Sequence, residues 1–242
     1  MHTRKREEES FGLNRLNTEI SKVLDNIPVD FGGGCSLSQA YVMAWLIRHY
    51  RLRRTLDIGV YRGRSLFPQA MAHARYTGGK VYGVDPWDAL EAMEHQTPVD
   101  KRGIEEFLGK TDFQTIYERV MSFKTMFGLD DHCTLLRKTS AAAADEFAAQ
   151  GIQVDLIHID GNHDTAKVME DVRNYLPRLN PGGFVVMDDV SWESVKPACA
   201  ELAKTSRQVF KRIDTTNDYS MYWRNESVWS AVLLSTFLRF VG

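Results

Sequence analysis

The sequence is poor in cysteine and contains no segment of unusual composition. Three cysteines, Cys35, Cys133 and Cys199, occur among 242 residues, and no two of them have Cys-x-x-Cys spacing. This usage argues against a disulfide framework or a zinc cluster and favours free thiols in a reducing cytoplasm, where we expect the protein to be located. Internal repeats and low-complexity linkers are also lacking, so nothing indicates a repeat array.

An excess of charge of one sign is lacking as well. The formal net charge is −2 at pH 7, and charged residues make up 26% of the chain. Because no overall positive field is present to attract a phosphate backbone, we predict that nucleic acid is not a partner. A small polar molecule is the better expectation for a substrate.

Long hydrophobic runs are missing too. The N-terminal segment MHTRKREEES has no apolar core of the kind found in signal peptides. The most apolar stretch, VWSAVLLSTFLRFVG at residues 228–242, is too short to cross a bilayer and contains Arg239. We therefore predict no membrane span and a packed terminal helix, with a dimer contact or a membrane-surface contact as the alternatives.

Short apolar segments alternate with amphipathic segments from residue 55 onward. Seven of them are predicted to be strands, at residues 55–60, 80–85, 133–138, 154–160, 182–189, 209–214 and 219–224. Strands rich in Val, Ile and Leu, each followed by a helix, indicate a parallel sheet covered on both faces. The last two can form a hairpin. The fold class predicted is thus α/β, with a mostly parallel seven-stranded sheet and helices on both faces.

Two regions fall outside this alternation. Residues 1–50 are predicted to form an N-terminal helical cap region, in which Ser36 caps the helix that follows it. Residues 51–242 would form the main domain. Within it, residues 87–130 are largely helical in pattern and lie near the carboxyl ends of the strands, where such sheets bind ligands. We interpret this insertion as a substrate lid or a dimer arm; helices that simply cover the sheet are the alternative.

The loop after the first strand carries the first functional signal, Asp57-Ile58-Gly59-Val60-Tyr61-Arg62-Gly63-Arg64-Ser65. Its glycines permit a sharp turn and close approach of a ligand, Asp57 can accept from a ligand ammonium group, and Ser65 offers a hydroxyl beside the free N–H groups of a helix start. The spacing Gly59-x-x-x-Gly63 differs from the dinucleotide fingerprint and argues against a pyrophosphate. The alternative is a tight strand-to-helix connection with no ligand.

A carboxylate ends the second strand, 28 positions after Asp57. Asp85 lies about one strand-helix-strand unit further along the chain, where an acid can receive both hydroxyls of a ribose. By itself it could equally cap the turn before Pro86.

The strongest signal is a set of acids at the ends of the fourth and fifth strands. Asp160, Asp188 and Asp189 should converge at the carboxyl edge of the sheet, where they would repel one another unless a cation were present. Oxygen ligands favour Mg²⁺, with Mn²⁺ and Ca²⁺ as alternatives. His163 lies three residues after Asp160 and can act as a base or a ligand. The alternative is that these acids cap helices and turns and that His163 makes a structural hydrogen bond.

These motifs resemble a known group of enzymes. DIGVYRGRS resembles the S-adenosylmethionine (SAM) binding loop of class I methyltransferases, most closely the catechol O-methyltransferase type. IHIDGNH, followed by a helix and PGGFVVMDD, resembles the macrocin/mycinamicin sugar O-methyltransferases, whose wider family includes the cephalosporin hydroxylase type. The resemblance covers about residues 55–192 and implies a Rossmann-like class I methyltransferase fold.

The resemblance also implies a role for each matching residue. Those expected to bind SAM are Asp57, Gly59, Tyr61, Gly63 and Ser65 around its methionine part, Asp85 at the ribose, Ser140 near adenine, and Asp160. Asp160, Asp188 and Asp189 match the metal-binding acids, and His163 matches the general base, with Asp160 beside it as a second catalytic residue. The implied activity is Mg²⁺-assisted transfer of a methyl group to a hydroxyl of a sugar, a natural-product diol or a catechol.

Other activities on the same architecture remain as alternatives. A metal-dependent hydrolase is suggested by His158, Asp160, His163 and Asp164, although the spacing does not match an HxHxDH site and His158 is expected to be a core histidine. A nicotinamide oxidoreductase, a hydroxylase relative or a non-catalytic member would share the fold. The apolar C-terminus and the insertion also lead us to expect a homo-oligomer.

Overall fold

A computed structural model describes residues 15–29, 34–96, 98, 101–214, 218–225 and 227–241 of the 242-residue chain. The start of the predicted N-terminal cap region, residues 1–14, lies outside the described residues. No helix of the described part is both long enough and apolar enough to cross a membrane. All three cysteines are described and none forms a disulfide.

The described strands form one seven-stranded sheet. They are β1 (Arg54–Ile58), β2 (Lys80–Asp85), β3 (Cys133–Arg137), β4 (Val154–Ile159), β5 (Leu179–Asp188), β6 (Arg207–Ile213) and β7 (Asp218–Trp223). Their order across the sheet is β3-β2-β1-β4-β5-β7-β6. The first five are parallel, and β7 pairs antiparallel with both β5 and β6. The predicted seven strands and the final hairpin are confirmed.

Helices cover both faces of this sheet. They are α1 (residues 15–24), α2 (Leu37–His49), α3 (Leu66–Ala72), α4 (Lys101–Lys110), α5 (Phe113–Met126), α6 (Ser140–Ala149), α7 (Thr165–Tyr175), α8 (Lys196–Leu202) and α9 (Val228–Val241). A π-turn at His73–Thr77 extends α3, and a 3₁₀ turn at Leu176–Arg178 extends α7. Local signals explain several starts, because the side chains of Ser36, Asp112 and Thr139 accept hydrogen bonds from the first turns of α2, α5 and α6.

Two hydrophobic clusters lie on opposite faces of the sheet. One joins α1, α2, α3, α5 and α9 to the sheet, and the other joins α6, α7 and α8 to it. The predicted N-terminal cap region therefore shares the main core: Leu16 and Ile20 of α1 belong to the same cluster as Phe67 of α3 and Leu156 of β4. The domain boundary at residue 50 stays a prediction. The hydrophobic core does not divide there, because residues on both sides of it belong to one cluster.

The predicted insertion has two parts with different roles in the fold. Helix α5 covers the sheet through Ile116 and Val120, as the alternative interpretation expected. The segment 86–96 and α4 instead line the cleft described below. The terminal helix α9 is packed, as predicted, with Leu234 and Leu238 buried and Phe237 stacked on Trp45 at 4.7 Å between ring centroids.

Candidate active site

A cleft of about 710 Å³ opens at the carboxyl ends of the parallel strands. Among its lining residues are Gly59, Tyr61, Asp85, Ser140, Asp160, His163, Asp188 and Asp189. The cleft follows from the strand order, because connections leave β1 and β4 in opposite directions and open a crevice at that point. Eight of the eleven residues expected to act at the site therefore meet around one cavity.

Gly59 fits the first loop against the end of β4. Its φ is +86°, and a Cβ at this position would lie 1.9 Å from the carbonyl oxygen of Asp160. The neighbouring main chain is tied to both flanking strands, since the N–H of Gly59 donates to Val84 and that of Asp160 donates to Ile58. Glycine is thus required here by the adjacent strand, a reason that the sequence pattern could not distinguish from close approach of a ligand.

Asp57, Gly63 and Ser65 do not line the cleft, and this corrects the expectation that their side chains or backbone contact a ligand directly. Asp57 is fully buried, where it accepts a 2.8 Å hydrogen bond from Ser65 Oγ and lies 2.6 Å from Nδ1 of His158. At Gly63 a Cβ would lie 2.6 Å from the ring of Phe67. These residues support the loop from the protein interior, because their side-chain hydrogen bonds and contacts are made with buried residues.

Asp85 faces the cleft from the end of β2. Its two carboxylate oxygens accept hydrogen bonds from the backbone N–H groups of Tyr61, at 2.8 Å, and Trp87, at 2.6 Å. Burial raises the pKa of Asp85 to about 6, and the two backbone donors act in the opposite direction. Each carboxylate oxygen keeps further lone pairs, so Asp85 can still accept from a ligand hydroxyl.

The acids at the ends of β4 and β5 fall into two groups that share Asp160. Oxygen or nitrogen donor atoms of His158, Asp160 and Asp188 lie within 4.8 Å of one another, and so do those of Asp160, His163 and Asp189. Burial and the negative charge of Asp188 raise the pKa of Asp160 to about 7. The three predicted acids therefore lie close together, and each of the two groups also contains a histidine.

His163 presents one ring nitrogen to these acids and the other to the insertion. Nε2 lies 3.0 Å from Oδ2 of Asp189 and 3.5 Å from Oδ1 of Asp160, and it makes no hydrogen bond of good geometry within the described structure. Nδ1 lies 2.7 Å from Oε1 of Glu94, and the ring stacks against Trp192. Burial acts to lower the pKa of His163, but its contacts with the three carboxylates outweigh burial and raise it.

His158 is fully buried in β4, as predicted, yet it belongs to the acidic network. It lies between Asp57 on one side and Asp188 on the other, with Nε2 3.4 Å from Oδ2 of Asp188. Burial acts to lower the pKa of His158, but these two carboxylates outweigh it and raise the pKa. Gln39 of α2 donates to Oδ1 of Asp188 and closes the network from the N-terminal region.

The segment 86–96 is fastened to the loop after β4. The Asn162 amide donates to the main-chain oxygens of Glu91 and Met93, at 3.1 and 2.8 Å. Asp164 accepts from the backbone N–H groups of His95 and Gln96. These hydrogen bonds position Glu94 beside His163 and place the segment over the acidic end of the cleft.

Backbone strain is concentrated at the rim of this cleft. Among the described residues, four that are not glycine have positive φ: Arg51, Tyr61, Trp87 and Asp189. The last three lie in the loops that follow β1, β2 and β5, and Tyr61 and Asp189 line the cleft. Side chains in this conformation cost on the order of 1 kcal/mol or more each, so the surrounding hydrogen bonds must enforce it.

Comparison with known proteins decides the family. Residues 56–190 match the family described as "Methyltransferase domain", which is more than half of the chain. The chain belongs to this methyltransferase family. The recognition of a methyltransferase made from the loop after β1 and the acids after β4 and β5 is confirmed, while membership of the macrocin/mycinamicin subfamily stays a prediction.

Solved structures establish the fold of the methyltransferase. The O-methyltransferase NovP is 13% identical with a TM-score of 0.61, covering 90% of this chain and 99% of NovP. The O-methyltransferase TomG from Streptomyces achromogenes, in complex with SAM, is 16% identical with a TM-score of 0.56. The match covers 88% of this chain and 89% of TomG. The O-methyltransferase from Bacillus cereus, in complex with S-adenosylhomocysteine (SAH), is 14% identical with a TM-score of 0.56. The match covers 86% of this chain and 90% of the Bacillus cereus enzyme. The predicted class I fold is confirmed.

A curated relative is similar over part of the chain. The uncharacterized protein y4gI of Sinorhizobium fredii is 32% identical over 147 residues, which is 60% of this methyltransferase and 14% of that protein. The methyltransferase thus corresponds to a small part of a much longer relative.

Two residues of the site were missed from the sequence. Glu94 lies in the insertion and Gln39 in the N-terminal region, the two segments without a recognisable motif. A signal for Glu94 was available in principle, because a buried histidine at a site commonly has a carboxylate partner. No signal in the sequence connects Gln39 with Asp188, which lies 149 positions away.

Proposed function

We propose that the protein is a SAM-dependent, Mg²⁺-assisted O-methyltransferase that acts on adjacent hydroxyl groups of a small molecule. The observation that carries the proposal is the arrangement of His163 Nε2, 3.0 Å from Asp189 and 3.5 Å from Asp160, in the same cleft as Gly59 and Asp85. SAM-bound and SAH-bound neighbours of the same fold support the choice of cofactor.

The residues around Gly59 and Asp85 fit SAM. The volume of the cleft is within the range of about 300–1,000 Å³ usual for small-molecule sites. Asp85, rigidly held by the N–H groups of Tyr61 and Trp87, would accept from the ribose hydroxyls. Ser140, at the start of α6, would lie beside adenine, and Asp160 beside the reacting end. SAM, when bound, supplies an activated methyl group on a sulfonium.

The residues at the other end of the cleft fit a divalent cation. Asp160 and Asp189 offer hard carboxylate oxygens close enough together to bind one ion, and Nε2 of His163 lies beside them, 3.0 Å from Oδ2 of Asp189. Asp188 belongs to the adjoining group with His158, where Gln39 fixes its orientation. A bound Mg²⁺ supplies positive charge that favours loss of a proton from a hydroxyl.

His163 would accept that proton once a bound cation offsets the negative charge of Asp160 and Asp189, which raises the pKa of the ring. A hydroxyl is a weak nucleophile until it is deprotonated, and an imidazole at hydrogen-bond distance is the usual acceptor. Glu94 beside Nδ1 orients the ring so that Nε2 faces the cleft, and Trp192 packs against it. Holding two reactants at attack distance accounts for several kcal/mol of a transfer barrier, so the chain needs to supply only alignment and the base.

The acceptor would lie below α4. Ile104, Phe107 and Leu108 of this helix and Phe113 of α5 line the cleft and give it one apolar wall. Asp160 and Asp189 line the same cleft. An acceptor with an apolar ring and two neighbouring hydroxyls would suit both kinds of lining, which favours a sugar, a natural-product diol or a catechol.

The test is calorimetry followed by a screen. SAH should bind the purified protein, and methyl transfer from SAM to diol or catechol acceptors should require Mg²⁺ and be abolished by EDTA. His163→Ala should lower turnover with little effect on SAH affinity. Failure of SAH to bind would overturn the cofactor assignment, and undiminished transfer in EDTA would overturn the role of the cation.

A further inference from the structure

A buried acid on α7 is used by none of the steps above. Asp171 is 3% exposed, and its Oδ1 has no hydrogen-bond partner within the part of the chain that the structure describes. Its side chain nevertheless lines the cleft. An unpartnered acceptor at such a place destabilises the folded protein unless something supplies a donor.

The neighbours of Asp171 show which part of the cleft it faces. A Cβ added to Gly161 would lie 3.8 Å from Oδ2 of Asp171, so this carboxylate lies beside the loop after β4. Ser140, at the start of α6, is a side-chain hydrogen-bond donor to Asp171, and its effect opposes the rise in the pKa of Asp171 to about 7 that burial causes. Asp171 thus lies behind the junction of the loops after β3 and β4.

This junction is where the base of SAM would lie. If Asp85 at the end of β2 receives the ribose and the methionine part lies beside Gly59 after β1, the base lies toward Ser140, which follows β3 on the other side of β2. At the edge of adenine, the exocyclic amino group is the strongest hydrogen-bond donor. A 6-oxo purine presents an acceptor at the same place.

We propose that Asp171 accepts a hydrogen bond from the exocyclic amino group of adenine and makes the cofactor site selective for adenine over a 6-oxo purine. This inference rests on the proposed SAM-dependent function. It assigns to α7 a direct part in cofactor recognition, in addition to covering the sheet.

Binding of two probes tests the inference. SAH and its inosine counterpart, S-inosylhomocysteine, should be titrated calorimetrically into wild type and into Asp171→Asn and Asp171→Leu at about pH 8.5, where the carboxyl is ionised. Wild type should prefer SAH by at least about tenfold. In Asp171→Asn that preference should fall by about tenfold, because the amide can also donate; Asp171→Leu should bind SAH about tenfold more weakly.

Asp131→Asn is the matched control. Asp131 is exposed before β3 and does not line the cleft, so this variant makes the same acid-to-amide change without removing a buried acceptor. It should keep the wild-type preference. Because the preference is a ratio measured on one sample, partial unfolding of a variant does not imitate its loss.

Each failure has its own signature. If wild type binds neither probe, the proposed function is wrong. If wild type prefers SAH and Asp171→Asn keeps both the affinity and the preference, Asp171 is a structural acid and the inference is overturned.

Discussion

Gln39 donates a hydrogen bond from Nε2 to Oδ1 of Asp188, joining helix α2 to the end of β5. The other oxygen of Asp188 lies 3.4 Å from Nε2 of His158. The carboxylate is therefore held on both sides before any ligand arrives. Through this contact the N-terminal region takes part in ordering the proposed metal site.

Gln39→Leu should weaken Mg²⁺ binding by about 10-fold to 100-fold, because loss of the donor frees Asp188 to rotate. SAH affinity should stay close to that of wild type. The measurement is the Mg²⁺ concentration giving half-maximal turnover. Tyr41→Phe, which removes a hydrogen bond of the same helix to the Asn17 carbonyl, is the control. Equal Mg²⁺ requirements in all three proteins would remove Gln39 from the site.

Asp160→Asn should lower Mg²⁺-dependent turnover on the order of 100-fold or more, because Asp160 belongs to both groups of candidate ligands. SAH should still bind, since Asp85 and the loop at Gly59 are intact. Asp131→Asn, at an exposed position before β3, should behave as wild type. Normal turnover in Asp160→Asn would refute the metal assignment.

Glu94→Gln should lower turnover about 10-fold to 100-fold, because the carboxylate that orients His163 is lost. Contact with Glu94 helps to raise the pKa of His163, so its removal lowers that pKa. The base is then deprotonated at lower pH, and the acidic limb of the kcat/KM profile should move to lower pH. Glu201→Gln, which alters a surface pair of this α8 residue with Lys204, is the control. A profile unchanged by Glu94→Gln would exclude this role.

Gly59→Ala should destabilise the protein by about 3 kcal/mol or more and abolish SAH binding, because the new Cβ would meet the Asp160 carbonyl 1.9 Å away. Gly78→Ala is the matched control. Gly78 also has positive φ, +61°, but a Cβ there meets nothing within 4 Å, so the cost should be about 1 kcal/mol. Denaturant unfolding of both variants gives the comparison. Equal losses would show that the backbone conformation alone requires glycine at residue 59.

Stability should fall with rising pH when divalent cations are removed. Burial raises the pKa of Asp85 to about 6 and those of Asp160 and Asp171 to about 7, from a usual value of 3.8. The folded protein holds these protons more tightly than the unfolded chain. The contribution of these three protonated carboxyl groups to the stability of the fold is therefore complete below about pH 4, and it is lost as the pH rises through 6 to 7.

Melting temperatures in EDTA at about pH 5 and pH 8 check this expectation. Mg²⁺ should raise the melting temperature more at the higher pH, because the cation and the protons compete for the same carboxylates. A Mg²⁺ effect of equal size at both values would count against a site built on Asp160.

Sequence reasoning was most successful where one residue type allows one interpretation. The Val-rich and Ile-rich strands indicated a parallel sheet, and the acids at the ends of β4 and β5 were placed correctly at its edge. It was less successful for Asp57, whose carboxylate is satisfied by Ser65 and His158 below the cleft. A strand-end acid can point up to a ligand or down to the core, and only the packing of β4 decides between them.

The start of β5 was misplaced for a similar reason. The sequence placed it at the glycines of residues 182–183, whereas the strand begins at Leu179. The register between Val154 and Leu156 of β4 shifts there, so the irregular pairing accommodates Pro181 and the two glycines. A bulge of this kind depends on the partner strand and leaves no mark in the local sequence.

The fastening of residues 86–96 to the loop after β4 constrains how acceptor preference could diverge among relatives. Asn162 and Asp164 depend on main-chain groups of the insertion, and Glu94 depends on His163. If the insertion of a relative replaced residues 86–96 alone, its side chains and main chain would not match the partners in the loop after β4, including His163. Evolution and protein engineering alike would need to exchange the two stretches as a pair, although some 70 positions of chain separate them.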